Sequence, residues 1–186
     1  MLIDITSFTK GPRQIENAVE TPKNPNQVAV EERVNGYIEF LQSDFLRKAV
    51  GKPLCEQIDA YSRVEHMEAT EEPQEGEQQE GSEETQQEVH AEPNERMERL
   101  ISLLSEPFAD YVFFYMLRDM NTQATITGLV RLKCANDYVS TIDKGVQAWN
   151  RMADALRVFV SEVDVLGVEG VHVDRDLLTY INNFNL

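Results

Sequence analysis

The sequence has two cysteines, three histidines and one tryptophan, and its basic residues are outnumbered 17 to 33 by acidic ones. Each shortage removes a class of function. Cys55 and Cys134 lie far apart in unrelated contexts, so they build no disulfide framework and read as two buried free thiols of an intracellular chain. Clustered Lys and Arg, the footprint that phosphate backbones select, are missing. The longest unbroken apolar run, Tyr111 to Leu117, is seven residues, against the ~20 needed to cross a bilayer. The opening Met-Leu-Ile-Asp-Ile-Thr has no basic region ahead of an apolar stretch, so no secretory signal is expected there. The expectation is a soluble protein with no membrane contact.

The negative charge is concentrated. Between Glu65 and Glu95 there are 12 Glu and no Lys, Arg or Asp; the remaining 155 residues carry 21 acidic against 17 basic side chains. That remainder has an ordinary globular composition and is long enough for one core. The Glu-rich tract buries too little apolar surface to offset the ~1–2 kcal/mol per residue that backbone ordering costs, so a disordered insert is expected over 68–93. It divides a single helical domain, 28–186, which follows an N-terminal arm, 1–27, with little core of its own.

Helical periodicity dominates the rest. Val30, Val34, Tyr37, Ile38, Leu41, Phe45, Leu46 and Ala49 recur at steps of three and four, with Ser43-Asp44 as an internal N-cap that divides the stretch and Gly51 as its C-cap. Leu54, Ile58, Tyr61 and Val64 continue a second helix to about Met67. Beyond Pro93 the most apolar segment, Met97 to Met116, predicts a central helix that Pro107 kinks or restarts. Ile126, Gly128, Val130 and Leu132 alternate with Thr127, Leu129, Arg131 and Lys133, a period of two that predicts a short strand or hairpin. A last long helix runs from Ser140 or Thr141 to about Val165, and Asp174 reads as the N-cap of a short terminal helix carrying Leu177, Leu178 and Ile181. The fold class expected is mainly α: a bundle of about four to five helices with a short β-hairpin and a disordered acidic loop.

Chemistry-bearing motifs are thin. Gly51-Lys52-Pro53 has a Gly-Lys pair without the upstream Gly or following Ser/Thr of a phosphate loop, and no Gly-x-Ser-x-Gly elbow occurs. His66 and His90 flank the Glu-rich tract, and the Glu-x-x-His pairs of a di-iron bundle do not occur twice. The acids Glu162, Asp164, Glu169, Asp174 and Asp176 lack the ligand order of a calcium loop. No catalytic, cofactor-binding or metal-binding residue is therefore assigned, and an enzyme is not expected. The aromatic stripe Phe108, Tyr111, Phe113, Phe114 and Tyr115 reads as core, with Phe113 and Phe114 widening it toward a subunit contact.

The order of elements carries a likeness. Tyr37-Ile38-Glu39-Phe40-Leu41 is followed by Phe45 to Leu54, a long loop, Leu100 to Tyr111, a Thr-Gly-Leu-Val turn at Thr127 to Val130, and a final helix around Trp149. This arrangement, over about residues 28–165, resembles the head–tail connector (adaptor, or head-completion) proteins of tailed bacteriophages and prophages. The corner Val50-Gly51-Lys52-Pro53-Leu54 stands where that family has a Leu-Gly-x-x-Leu-like turn, with Val for the first Leu, and the Glu-rich tract is absent from compact members. The resemblance implies a structural virion protein, made in the bacterial cytoplasm, whose copies close into a ring. The ring joins the portal to the tail or stopper protein, and DNA passes through it without sequence-specific binding. It also implies contacts through the hairpin (Thr125, Thr127, Leu129, Arg131) and the terminal segment (Tyr180, Phe184, Leu186). The alternative is a soluble helical binding module whose acidic tract docks a basic partner.

Overall fold

A computed structural model of the chain describes residues 2–68, 88–120, 122–125, 128–131, 141–168 and 170–182. Four α-helices dominate: α1 Pro25–Val50, α2 Lys52–Glu68, α3 Glu88–Met120 and α4 Thr141–Leu166. Between α3 and α4, β1 (Thr122–Thr125) and β2 (Gly128–Arg131) pair antiparallel, Thr122 opposite Arg131 and Thr125 opposite Gly128. The expected disordered loop falls largely on residues outside those described. The bounds of the insert change, however, because α3 already begins at Glu88, ahead of Pro93.

The arm contributes to the common core. Leu2, Ile3, Ile5, Phe8 and Ala18 are buried in the same cluster as the helices. Two short 3-10 turns, Ile5–Phe8 and Gly11–Arg13, place them. Asp4 starts the first turn by accepting the Thr6 N–H at 2.9 Å, and the Leu2 N–H donates to Gln42 Oε1 on α1 at 3.0 Å.

Helix α1 starts where Asn24 Oδ1 accepts the Gln27 N–H at 3.0 Å, with Pro25 at the first helical position, where its missing N–H costs nothing. It runs unbroken to Val50, so the cap expected at Ser43-Asp44 does not form. Asp44 instead accepts from Lys48 Nζ (2.7 Å) and Tyr111 Oη (2.9 Å), which leaves no reason for the helix to stop there. Gly51 ends it at φ +83°, its N–H donating to the Arg47 carbonyl, a conformation L side chains adopt only with strain.

Helix α3 passes through Pro107 without a break. Proline supplies no N–H to the carbonyl one turn back, a penalty of roughly 3 kcal/mol in a helix interior. Leu104, Phe108, Tyr111 and Val112 are fully buried on either side of it, and at ~1.5–3 kcal/mol per buried side chain their packing outweighs the missing bond. By length and composition Glu95–Asp119 would suffice to cross a bilayer, but 61% of that apolar window is buried inside the fold. Arg99 meets Glu162 (3.8 Å), Asp110 meets Arg151 (2.6 Å), and Phe114 lies against Gly145, so α3 and α4 run in opposite directions. Phe113 and Phe114, expected to widen the stripe toward a subunit contact, are buried within the monomer; the Phe114 ring meets Trp149 edge-on at 4.9 Å.

The short terminal helix is replaced by consecutive turns over 175–178. Asp174 does cap, with Oδ1 accepting the Asp176 N–H at 3.1 Å. Side chains of α4 hold the segment in this form through its carbonyls: Arg157 Nη2 donates to Leu178 O (2.7 Å), Trp149 Nε1 to Thr179 O (2.9 Å) and Asn150 Nδ2 to Ile181 O (3.1 Å).

Candidate interaction sites

Within the most apolar helix stands one buried carboxylate. Asp110, about 5% exposed, accepts from Arg151 of α4 through Nη2 (2.6 Å) and Nε (3.3 Å), and lies 3.4 Å from Arg13 Nη1 of the arm. Arg13 also reaches Glu106 Oε2 at 2.7 Å. The fork geometry of arginine suits this bidentate grip, and the result ties arm, α3 and α4 at one point. Beside it a hollow of about 510 Å³ opens between the arm and α4, edged by Gln14, Glu16, Lys144 and Gln147.

A second concavity, about 440 Å³, lies between the middle of α1 and the C-terminal end of α3. Tyr37, Phe40, Arg47, Tyr115 and Arg118 shape it. Phe40 stands on its lip and is 81% exposed, the Arg118 guanidinium rests 4.5 Å above the Tyr115 ring, and Tyr37 Oη donates to Asp119 Oδ2 at 3.1 Å. At its floor, burial pushes the Asp44 carboxyl up, but the hydrogen bonds from Lys48 and Tyr111 outweigh it and leave its pKa below the usual carboxylate value. Lys48 is correspondingly raised, first by its bond to Asp44. Burial chiefly, then Tyr115 and Asp44, raises the Tyr111 hydroxyl far above the usual tyrosine value. Tyr37 is raised by burial and by Asp119. These shifts hold each group in its ordinary neutral-pH state, opposite to an acid or base poised for proton transfer.

Among the described residues no buried side-chain polar atom lacks a hydrogen-bond partner, and no three His, Cys, Asp or Glu side chains converge on one point. Cys55 is buried, its thiol raised mainly by desolvation. Of the acidic group near the end of α4, Glu162 lies 3.8 Å from Arg99 and Asp174 caps its own turn.

The contact residues expected from the resemblance fall into three groups. Thr125, Leu129 and Arg131 lie on the paired strands, Ala124 opposite Leu129. Thr127, Phe184 and Leu186 are outside the described residues. Tyr180 is engaged within its own chain: Arg157 packs 4.0 Å from its ring centre and its hydroxyl donates to Asp154 Oδ1. That hydrogen bond is the main reason its pKa is raised. The terminal segment is also anchored to α1, His172 N–H donating to Val50 O (3.4 Å) and Asp174 N–H to Lys48 O (2.6 Å), and Leu177 is buried.

Periodicity passed over the exposed apolar positions. Phe40, Val158 (57% exposed) and Val165 (83%) sit off the inward stripes of their helices, and that displacement was the available signal. Asp110 was legible in the same way, as a lone carboxylate in an apolar run that needs a cationic partner if buried. Comparison of the chain with family models, with curated proteins and with solved structures found no match.

Proposed function

We propose that the chain is a structural protomer of a tailed-phage or prophage particle, a head–tail connector whose copies close into a ring between portal and tail or stopper. The observation that carries this reading is how the described residues divide. Asp110 is spent on tying arm, α3 and α4 together and Asp44 on tying α1 to α3, while Phe40, Val158 and Val165 are left outward on helices. Ring protomers use two different surfaces in head-to-tail contact, and outward apolar side chains on separate helices supply such surfaces. The order of the four helices with an antiparallel strand pair before the last is that of the resemblance, and the hairpin and chain end would make the neighbour and portal contacts. An excess of acidic side chains suits a conduit, because a negative wall repels DNA and lets it slide, although most of the charge here lies in the Glu-rich tract.

The test mixes the purified chain with portal rings and reads stacked rings by negative-stain electron microscopy. Truncation after residue 182 should abolish stacking by removing Phe184 and Leu186. Cutting from residue 175 is too deep, because it removes the buried Leu177 and the carbonyls held by Trp149 and Arg157. Deleting residues 70–87 should leave stacking unchanged. No ring with any portal, or loss of a salt-sensitive interaction on deleting 70–87, would reject the connector and favour the acidic-tract binding module.

A further inference from the structure

Two outward features of this fold fit each other. The cleft between α1 and α3 offers an exposed phenyl ring, Phe40, beside Arg47, which is exposed and has no side-chain hydrogen bond or ion pair among the described residues. The other charges of the cleft are hydrogen-bonded, Asp44 by Lys48 and Tyr111, and Asp119 by Tyr37, and Arg47 acts on Asp44 only as a nearby charge. On α4, Val158 and Val165 are separated by two helical turns and stand on one outward strip with Ser161 between them. Asp164 flanks that strip, exposed, with no side-chain partner among the described residues.

We infer, building on the ring reading above, that the cleft of one copy seats the outer strip of α4 from the next copy, Phe40 packing on Val158 and Val165 and Arg47 pairing with Asp164. Three observations favour a second copy as the occupant. The open charges are opposite in sign, one on each surface, so the contact leaves neither buried alone. The strip presents apolar anchors at i and i+7, the pattern by which a helix lies in a groove, and an aromatic and an arginine are the residue types that dominate contact energies. The two surfaces are also apart on the molecule. The cleft lies at the 115–119 end of α3, while the antiparallel α4 carries its strip beside the opposite end, where Glu162 meets Arg99. Two surfaces that cannot meet within one copy join copies head to tail and close a ring when the rotation permits.

The test places a photo-crosslinking phenylalanine analogue at position 40 of the full chain and measures assembly mass by sedimentation in parallel. The expected result is an inter-copy crosslink within 158–165 in ring-sized species. Phe40→Ala should weaken association roughly tenfold and Arg47→Glu or Asp164→Lys about fivefold each, and the Arg47→Glu/Asp164→Lys pair should recover most of the loss. All three positions are exposed, so the fold is not at stake. Rings whose crosslinks map elsewhere, or a charge reversal that does not recover, overturn this contact and leave the ring reading standing. A chain that stays monomeric with and without portal overturns both.

Discussion

Replacing Asp110 with Ala is the sharpest test of what holds the arm and α4 to the centre. The substitution leaves two guanidinium groups facing the space a carboxylate occupied. Arg13 is only 14% exposed and has Glu106 as a second partner, whereas Arg151 is 36% exposed and can turn to water. Breaking a fully buried pair by removing one partner costs roughly 3–5 kcal/mol; partial access to solvent lowers the expectation here to about 2–4 kcal/mol. For a chain of this length each kcal/mol moves the thermal midpoint by ~2–4 °C, so a fall of about 5–15 °C is expected by circular dichroism. Asp110→Asn keeps the shape and one acceptor oxygen and should lose about half as much. A double-mutant cycle of Asp110→Ala with Arg151→Ala should show a coupling of ~0.5–3 kcal/mol. A loss under about 1 kcal/mol for Asp110→Ala, or strictly additive effects in the cycle, would mean that the clamp contributes little and that apolar packing alone positions the arm.

Two further outcomes follow from named contacts. Tyr111 titrates above its ordinary value of 10.0 in the fold, so as pH rises past that value the unfolded chain releases a proton that the folded chain keeps, and stability falls. Lys48, also raised, loses its contribution in the same alkaline range, whereas Asp44, lowered, loses its contribution as pH drops below the usual carboxylate value. Tyr111→Phe should therefore show a smaller drop in thermal midpoint between about pH 9 and about pH 11 than the parent chain; equal drops would remove Tyr111 from the account. Phe8→Ala should cost ~3–5 kcal/mol in urea unfolding, because the ring is fully buried among the helices. A cost near zero would show the arm to be dispensable to the core.

The single-residue devices that end helices were legible because they act locally. Gly51 does in the fold what its chemistry dictates over three or four neighbouring residues, and the inward stripes of α1 and α4 follow from their 3.6-residue repeat, whereas α1 starts at Pro25 with Asn24 as its cap, inside the stretch expected to be arm. Ser43-Asp44 and a restart at Pro107 misled for the opposite reason. Each is a local start signal that distant contacts override, the hydrogen bond from Tyr111 to Asp44 and the burial around Pro107, while Asp174 caps its turn as expected but no terminal helix follows.

Local composition and periodicity thus settled on their own that the chain is mainly helical, where most of its helices run, and that its negative charge is gathered in one tract. Only the folded arrangement decided that the arm belongs to the core, that Asp110 is buried between two arginines, and that Phe40, Val158 and Val165 remain outward. The physical reason is range. Backbone propensity and capping are set by neighbours within a turn or two, whereas burial and ion pairing depend on residues such as Arg13, Asp110 and Arg151, far apart in the chain and brought together only when the elements pack.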